Sequence, residues 1–194
     1  MPHVQVRVDL DAIAANVAAL KEYAGAAQVM VVVKGDAYGH GLVPVARTAR
    51  AAGATWLGTA VLSEALQLRA AGDTGRLMAW LTTPGERWAD AIAAGIDVSA
   101  SARWALDEIA AAARQVGTAA RVHLKIDTGM ARAGATFDDW PTLIDAALAA
   151  RADGAVTIVG IWSHLANADI AGDPVTSAQL AVFADAVKLA EARG

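Results

Sequence analysis

The sequence contains no cysteine among its 194 residues, which excludes disulfide bridges, thiolate metal sites, iron–sulfur clusters and thiol nucleophiles. An excess of positive charge is also missing. Sixteen lysines and arginines stand against 20 aspartates and glutamates, a formal net charge of −4, so no basic field favours nucleic acid or an anionic membrane. No uncharged apolar run reaches bilayer-spanning length, and the N-terminus has no signal-peptide core. We therefore expect a soluble, cytoplasmic protein that binds neither nucleic acid nor membrane.

Common nucleotide and metal motifs are absent as well. Neither GxGxxG nor GxxxxGK[ST] occurs, which argues against a dinucleotide site or a P-loop. Three of the four histidines, His40, His123 and His164, belong to different predicted strands or their ends and could converge. No carboxylate lies near them in sequence at metal-ligand spacing. We therefore expect no metal site.

The sequence does contain a regular alternation of short apolar runs and helical stretches. Alternating apolar and polar residues over 4–9 predict a half-exposed N-terminal strand, and apolar residues at helical spacing over 10–20 predict a helix after it. Six further apolar runs, each followed by a helical stretch, predict buried strands: Val29–Val33, Trp56–Ala60, Arg76–Leu81, Ile96–Val98, Val122–Ile126 and Val156–Trp162.

Glycines mark the ends of the helices in this pattern. Five of them stand after a helix and before the next strand, where a left-handed C-cap is needed: Gly53, Gly72, Gly95, Gly117 and Gly154. Apolar strands that alternate with helices predict parallel pairing covered on both faces. An open doubly wound sheet and a (β/α)8 barrel both fit, since six strands satisfy the first and a closed barrel typically needs about 250 residues. No linker interrupts the chain, so we expect a single domain over 1–194.

Functional groups in parallel α/β proteins gather at the carboxyl ends of the strands, and Lys34 closes the first buried run. A lysine there is costly to keep charged, and its neutral amine attacks carbonyl groups, so Lys34 is a candidate for a Schiff base. The alternative is an ordinary lysine that reaches solvent at the strand end. The glycine-rich segment Gly35–Gly41 favours the functional interpretation, because it contains Tyr38 and His40 and leads into a helix start suited to phosphate.

Polar residues also accompany later strands. His123 and Lys125 share one strand face because side chains alternate, and Arg132 follows in the loop. Lys125 and Arg132 close together would repel each other unless an anion lies between them or one is neutralised. A lone histidine such as His164, at the end of the sixth strand, is more often structural. Thr83, followed by proline, is expected to cap the next helix.

Three parts of the sequence resemble the motifs of the alanine racemase family. Its pyridoxal-phosphate signature resembles Lys34–Gly41, its second motif His123–Gly134, and its third Gly160–His164 with Asn167–Asp169. The resemblance runs through the whole chain and implies a TIM-type (β/α)8 barrel, incomplete with about six βα units, preceded by the N-terminal strand and helix.

The resemblance also implies roles for individual residues. Lys34 would carry pyridoxal 5′-phosphate covalently and act as one of two catalytic bases, while Tyr38 would hydrogen-bond the phosphate. Arg132 would hold the substrate carboxylate and the phenolic oxygen of the cofactor, oriented by a carbamylated Lys125. Two residues would line the surroundings of the cofactor ring: Trp80 and His164.

The implied activity is interconversion of L-alanine and D-alanine for cell-wall precursors, in a homodimer. Family members are longer, so the resemblance implies a fragment that ends before strands seven and eight, without the C-terminal β domain and the second base, and inactive alone. Gly35, Asp36 and Ala131 stand where the family more often has Ala, Asn and Gly. The alternatives are a serine or broad-spectrum racemase, a related decarboxylase, a non-catalytic homeostasis-type protein that binds pyridoxal phosphate, and a binding fragment without turnover.

Overall fold

A computed structural model of the chain describes residues 4–194. The chain divides into two compact units, Met1–Leu81 and Thr82–Gly194. The elements of the first unit are α1 (Leu10–Ala24), β1 (Met30–Val32), α2 (Lys34–Gly39), α3 (Leu42–Ala51), β2 (Trp56–Thr59), α4 (Leu62–Ala70) and β3 (Arg76–Ala79). Those of the second are α5 (Trp88–Ala93), β4 (Asp97–Ala100), α6 (Arg103–Val116), β5 (Ala120–Lys125), α7 (Trp140–Ala152), β6 (Val156–Trp162) and α8 (Pro174–Glu191).

The strands pair in parallel and in chain order within each unit. In the first unit β1 pairs with β2 and β2 with β3; in the second β4 pairs with β5 and β5 with β6. A helix stands between consecutive strands, as in repeated βα units. Neither unit reverses its strand order, whereas a doubly wound sheet reverses at a switch point. All six predicted buried strands are present, with ends that differ by a residue or two.

Each unit has its own apolar core under its helices. The first unit buries leucines of strands and of α4, among them Leu57, Leu68 and Leu77. The second buries the face of α6 at helical spacing, including Leu106 and Ile109. Each fully buried Leu or Ile side chain stabilises the fold by about 1.5–3 kcal/mol, so these faces fix the helices on their strands.

The ends of the helices follow the predicted chemistry. The five glycines expected after helices all have positive φ angles, between 62° and 95°. Asp9 caps α1 by accepting a hydrogen bond from the amide of Ala12 at 3.0 Å. Asp173 caps α8 in the same way through Thr176. Among residues 4–194, no helix combines the length and the apolar composition that crossing a bilayer requires.

Two local predictions are wrong. Residues 4–9 form no strand, because within the described part of the chain no strand pairs with them, and Val4 and Val6 are 82 % and 85 % exposed. Thr83 caps no helix: α5 begins at Trp88, and the hydroxyl of Thr83 lies 3.2 Å from the carboxylate of Glu86. Alternation in sequence cannot supply a partner strand, and a polar side chain before a proline can serve a loop as well as a helix.

Candidate active site

Lys34 lies two residues after the end of β1, and the backbone that follows it takes a rare conformation. The next four residues have φ angles of 63°, 54°, 52° and 55°, one left-handed helical turn. Only Gly35 among them is a glycine; the others are Asp36, Ala37 and Tyr38. Left-handed backbone costs an L-residue about 1–2 kcal/mol. Such strain persists only where the surroundings impose it, and it concentrates at functional sites.

Two carboxylates accept hydrogen bonds from backbone amides in and just after this left-handed turn. Glu64 Oε1 accepts from the amide of Gly35 at 2.6 Å and from that of Asp36 at 3.1 Å. The carboxylate of Asp36 in turn accepts from the amide of Leu42, the first residue of α3, at 2.6 Å. An incoming phosphate would meet that negative charge at the start of α3, so the geometry argues against the phosphate site predicted there.

The left-handed turn returns Tyr38 to the side of Lys34. The Nζ atom of Lys34 lies 5.7 Å from the centroid of the Tyr38 ring, within the range of a cation–π contact. Lys34 is half-buried, and Tyr38 is 75 % exposed. A Cβ atom at Gly35 would lie 3.5 Å from Tyr38 Cδ1, an ordinary contact. The ring therefore leaves space for the alanine more frequent in this motif, but at a φ angle of 63° that alanine would carry backbone strain.

Trp80 follows β3 and packs on the neighbouring strand. A Cβ atom at Gly58 in β2 would lie 2.6 Å from Trp80 Cζ3 and 2.8 Å from the sulfur of Met30. Contacts that short do not occur, so the indole reaches this position only because residue 58 is glycine. Trp80 is half-buried, which leaves part of its surface accessible.

In the second unit, Lys125 ends β5 in a buried position. It is 4 % exposed, and its Nζ lies 4.4 Å from the centroid of the Trp162 ring. Burial lowers the pKa of Lys125 below its usual value; the charge of Arg132 lowers it further, and that of Asp127 raises it. The charges of Arg132 and Asp127 therefore act on the Lys125 amine in opposite directions.

The loop that carries Arg132 is shaped by its own backbone contacts. The carboxylate of Asp127 accepts from the amides of Gly129 and Ala131 at 2.9 and 3.1 Å. Ala131 has a φ angle of 54°, which explains why glycine is frequent at this place in the motif. A Cβ atom at Gly134 would lie 2.5 Å from the backbone nitrogen of Asp127, so only glycine lets the loop close. Arg132 itself is exposed.

The loops after β5 and β6 are joined by buried polar side chains. The hydroxyls of Thr128 and Ser163 lie 2.8 Å apart. Gln179 of α8, which is 2 % exposed, donates to the Thr128 hydroxyl and to the carbonyl of His164, both at 3.1 Å. This network fixes the backbone at His164, whose side chain is half-buried.

His123 lies on the same face of β5 as Lys125 but contacts a different side chain. Its Nε2 atom lies 3.0 Å from Asp97 Oδ2, and Arg121 Nε donates to Asp97 Oδ1 at 2.8 Å. Asp97 is 1 % exposed. The buried carboxylate thus serves two basic side chains and explains structurally why a histidine lies on this strand.

The six predicted site residues fall in both units. Lys34, Tyr38 and Trp80 belong to the first unit, and Lys125, Arg132 and His164 to the second. Within the first unit the structure brings Lys34 and Tyr38 into contact; within the second it brings Lys125 under the electrostatic influence of Arg132.

Sequence reasoning missed two residues that shape these places, Glu64 and Gln179. Glu64 offered a weak signal, since it lies in the first turn of α4 after Val61, which cannot cap the helix. An acid at that position without a polar cap before it is free to bond elsewhere. Gln179 offered none, because a glutamine within a helix is ordinarily exposed.

Comparison with known proteins identifies the family to which the chain belongs. Residues 8–194 match the family described as "Alanine racemase, N-terminal domain". The alanine racemase of Beutenbergia cavernae is 59 % identical over 187 residues, which cover 96 % of this chain and 50 % of that protein. The chain spans about half the length of the curated relatives it matches.

Solved structures agree in sequence and in fold. The crystal structure of alanine racemase from D-cycloserine-producing Streptomyces lavendulae is 54 % identical, with a TM-score of 0.95 over 96 % of this chain and 49 % of that one. The alanine racemase from Bacillus anthracis with bound L-Ala-P is 31 % identical, with a TM-score of 0.83 over 96 % and 48 %. These matches confirm the predicted fold class, the barrel portion of such enzymes.

Proposed function

Because the chain belongs to the family of alanine racemase N-terminal domains, we propose that the protein, as its gene encodes it, interconverts L-alanine and D-alanine with pyridoxal 5′-phosphate. The observation that carries the proposal is the half-buried amine of Lys34, held at the end of β1 by four left-handed residues. Cell-wall precursor supply, a cytoplasmic location and a homodimer are part of the same proposal and rest on family membership.

The side chains present fit the proposed cofactor. An aldehyde needs an amine that it can reach, and Lys34 is half-buried, whereas Lys125 is closed off against Trp162. Anionic oxygens need donors, and Tyr38 and Arg132 are exposed. In the first unit, the amine of Lys34 and the phenol of Tyr38 lie close together, and they are donors suited to an aldehyde that carries a phosphate.

Each residue has a defined task in this proposal. When bound, pyridoxal phosphate supplies an electron sink for negative charge at the α-carbon of the amino acid. Lys34 would hold the cofactor through Nζ and, once the amino acid has displaced it, its free amine would move a proton to or from one face of the α-carbon. Arg132 binds the carboxylate of the amino acid, Tyr38 donates its hydroxyl to the phosphate, and two residues line the ring: Trp80 and His164.

Inversion at the α-carbon requires a proton to leave one face and another to arrive at the opposite face. Lys34 serves one face only, so a second base has to act from the other side. None of the residues assigned to the site takes that role.

Lys125 is proposed to carry a carbamate. Burial and the charge of Arg132 lower its pKa and so favour the neutral amine, which can attack carbon dioxide. The new N–C bond releases one proton to solvent and leaves an anion that attracts Arg132 and orients its guanidinium. This modification removes the repulsion between the two side chains.

The carbamate is tested by carbon-13 NMR of the protein in carbon-13 bicarbonate. The wild type should show one slowly exchanging carbamate signal, and Lys125→Met should lose it. Lys188→Met is the matched control, because Lys188 is exposed and paired with Asp185, and it should keep the signal. A wild type without the signal would show that Lys125 is not carbamylated.

The cofactor assignment is tested by borohydride reduction with pyridoxal phosphate and peptide mapping by mass spectrometry. The phosphopyridoxyl mass is expected on Lys34, and Lys34→Ala should lose both the mass and the racemisation of L-alanine. Mass on Lys125 or another lysine, or a wild type that turns over L-serine but not L-alanine, would contradict the proposal.

A further inference from the structure

Glu64 is placed unlike an ordinary helix-start acid. It is the third residue of α4, where a glutamate commonly reaches back to the amide of its own cap residue. Here the cap is Val61, which forms no side-chain cap. Glu64 instead reaches from α4 to the left-handed turn after Lys34, where its Oε1 accepts from Gly35 and Asp36.

One oxygen of this carboxylate makes both bonds, and the other makes none. Oε2 of Glu64 is buried and has no hydrogen-bond partner within residues 4–194. A buried polar atom without a partner destabilises a fold by about 1–3 kcal/mol. Burial of the unpaired Oε2 therefore lowers the stability that Glu64 contributes. The two bonds of Oε1 are what this burial makes possible, and they need an explanation other than stability.

The contacts of Oε1 fall where the backbone is most strained. Three non-glycine residues follow one another in the left-handed region, and Gly35 and Asp36 are the first two residues of that turn. The turn begins directly after Lys34, and it returns the ring of Tyr38 to Nζ. A bond to the first two amides therefore acts on both side chains at once.

We infer that Glu64 is a positioning residue for this site: it holds the left-handed turn through two amides and thereby orients Lys34 and Tyr38 toward an aldehyde and its phosphate. The inference rests on the proposed function for the identity of that ligand, but the hold on the two amides is independent of it. Glu64 touches neither substrate nor cofactor in this role.

Three variants separate the parts of this role. Glu64→Ala removes both bonds. Glu64→Asp keeps the charge but shortens the side chain by one methylene, so its oxygen falls short of the amides, and it serves if the alanine variant does not fold. Glu64→Gln keeps a carbonyl oxygen for both amides, removes the charge and places an NH2 group where Oε2 has no partner, so it should rescue the hold on the turn.

The matched control is Glu108→Ala. Glu108 also holds a loop, accepting from the amide of Gly85 at 3.1 Å and from the indole of Trp88 at 2.8 Å. Its removal costs the fold a similar pair of bonds without touching the turn after Lys34. Thermal unfolding of all variants shows which changes are due to stability alone.

The first measurement is amide hydrogen exchange. At Gly35 and Asp36 exchange should be about tenfold faster in Glu64→Ala and Glu64→Asp than in the wild type, and near the wild-type rate in Glu64→Gln. Glu108→Ala should accelerate exchange at Gly85 only. Unchanged exchange at Gly35 and Asp36 in Glu64→Asp would overturn the inference.

The second measurement is the rate at which pyridoxal phosphate is trapped on Lys34 by borohydride. Glu64→Ala and Glu64→Asp should slow trapping about tenfold and Glu64→Gln less than about threefold. Trapping at the wild-type rate in Glu64→Asp, despite faster exchange, would overturn the positioning role. A wild type that traps nothing on Lys34 refutes the proposed function instead, and the exchange measurement still decides whether Glu64 holds the turn.

Discussion

Lys125 and Trp162 are neighbours in the register of β5 and β6, and the Nζ atom of the lysine lies 4.4 Å from the centroid of the indole ring. The ring is fixed in turn, because its N–H donates to the hydroxyl of Ser99 at 2.9 Å. A rigid aromatic face attracts a cation, yet burial opposes the charge. The protonation of Lys125 therefore depends on contacts that exist only in the folded chain.

This arrangement predicts how stability depends on pH. In the folded chain the pKa of Lys125 lies below 10.5, chiefly through burial and then through Arg132. Between the folded pKa and 10.5 the unfolded chain binds more protons, so the free energy of unfolding should rise with pH through that range. Below the folded pKa, the buried charge of Lys125 lowers the free energy of unfolding by its full amount. Above pH 10.5 the amine is neutral in both states, and this destabilisation disappears.

Lys125→Met should remove this dependence and stabilise the protein at neutral pH, with a benefit that vanishes near pH 10.5. Urea unfolding in buffer free of carbon dioxide measures the effect on the unmodified amine. Lys188→Met, at an exposed lysine, should leave the pH dependence of the wild type intact. Parallel stability curves for wild type and Lys125→Met would refute the assignment.

Gly58→Ala tests the placement of Trp80. The new methyl group would lie 2.6 Å from the indole and 2.8 Å from Met30, so both side chains have to move. We expect a loss of about 1–3 kcal/mol in the free energy of unfolding and a shift in tryptophan fluorescence. Under the proposed function, affinity for pyridoxal phosphate should fall as well.

A second strand glycine supplies the control for that substitution. A Cβ atom at Gly160 in β6 would meet only His123 Nδ1, at an ordinary 3.7 Å. Gly160→Ala should therefore change the free energy of unfolding by less than about 0.5 kcal/mol. Equal losses at residues 58 and 160 would show that the indole does not need the glycine.

The sequence was sufficient for features that depend on local pattern. Apolar runs such as Trp56–Ala60 predicted strands because a buried strand has to be continuously apolar. Glycines such as Gly117 predicted helix ends because a left-handed residue is needed there. Lys34 was singled out because a glycine-rich segment with Tyr38 and His40 follows it at once and leads into a helix, and its role as a site residue stays a prediction.

Features that depend on distant partners could not be predicted. The left-handed turn after Lys34 is bonded to Glu64, which lies 29 residues from Gly35 in sequence. No residue within the motif indicates that this partner is present. Asp97 resembles a surface aspartate until Arg121 and His123 are placed beside it. Val4 and Val6 alternate with polar residues as in a strand. Such alternation indicates a preference for extended backbone, but it does not show that another strand is there to pair with.

Asp73 ties together the loops and helices of the first unit, so its loss should be costly. Arg50 contacts both of its carboxylate oxygens, at 2.8 and 3.1 Å, and Arg69 contacts one at 2.8 Å. These side chains are largely buried. Asp73→Ala should lower the free energy of unfolding by about 2–4 kcal/mol, because two largely buried guanidinium groups lose this carboxylate and keep only their other contacts.

The matched control for Asp73 is an ion pair on the surface. Asp185 contacts Lys188 at 3.1 Å with both side chains largely exposed, and Asp185→Ala should cost less than about 1 kcal/mol. Chemical unfolding of both variants measures the difference. If the two losses are alike, the ion pairs of Asp73 are no stronger than a surface pair.

Asp97 carries the last prediction, because it is the carboxylate on which two basic side chains of β5 depend. It is 1 % exposed and accepts from Arg121 at 2.8 Å, while His123 Nε2 lies 3.0 Å away. Asp97→Ala leaves Arg121 and His123, which are both partly exposed, without this acceptor and should lower the free energy of unfolding by about 1–3 kcal/mol. Asp97→Asn keeps the shape and one acceptor, so it should lose about half as much.

A double-mutant cycle with His123→Phe measures the interaction between Asp97 and His123. It separates that interaction from the other effects of substituting Asp97 in β4. If the carboxylate acts through His123, the losses from Asp97→Ala and His123→Phe should fall short of additivity by about 1–2 kcal/mol. Additive losses would mean that Asp97 does not stabilise the unit through His123. A free energy of unfolding unchanged in Asp97→Ala would show that the two bonds contribute nothing net, and the polar face of β5 would then need another source of stability.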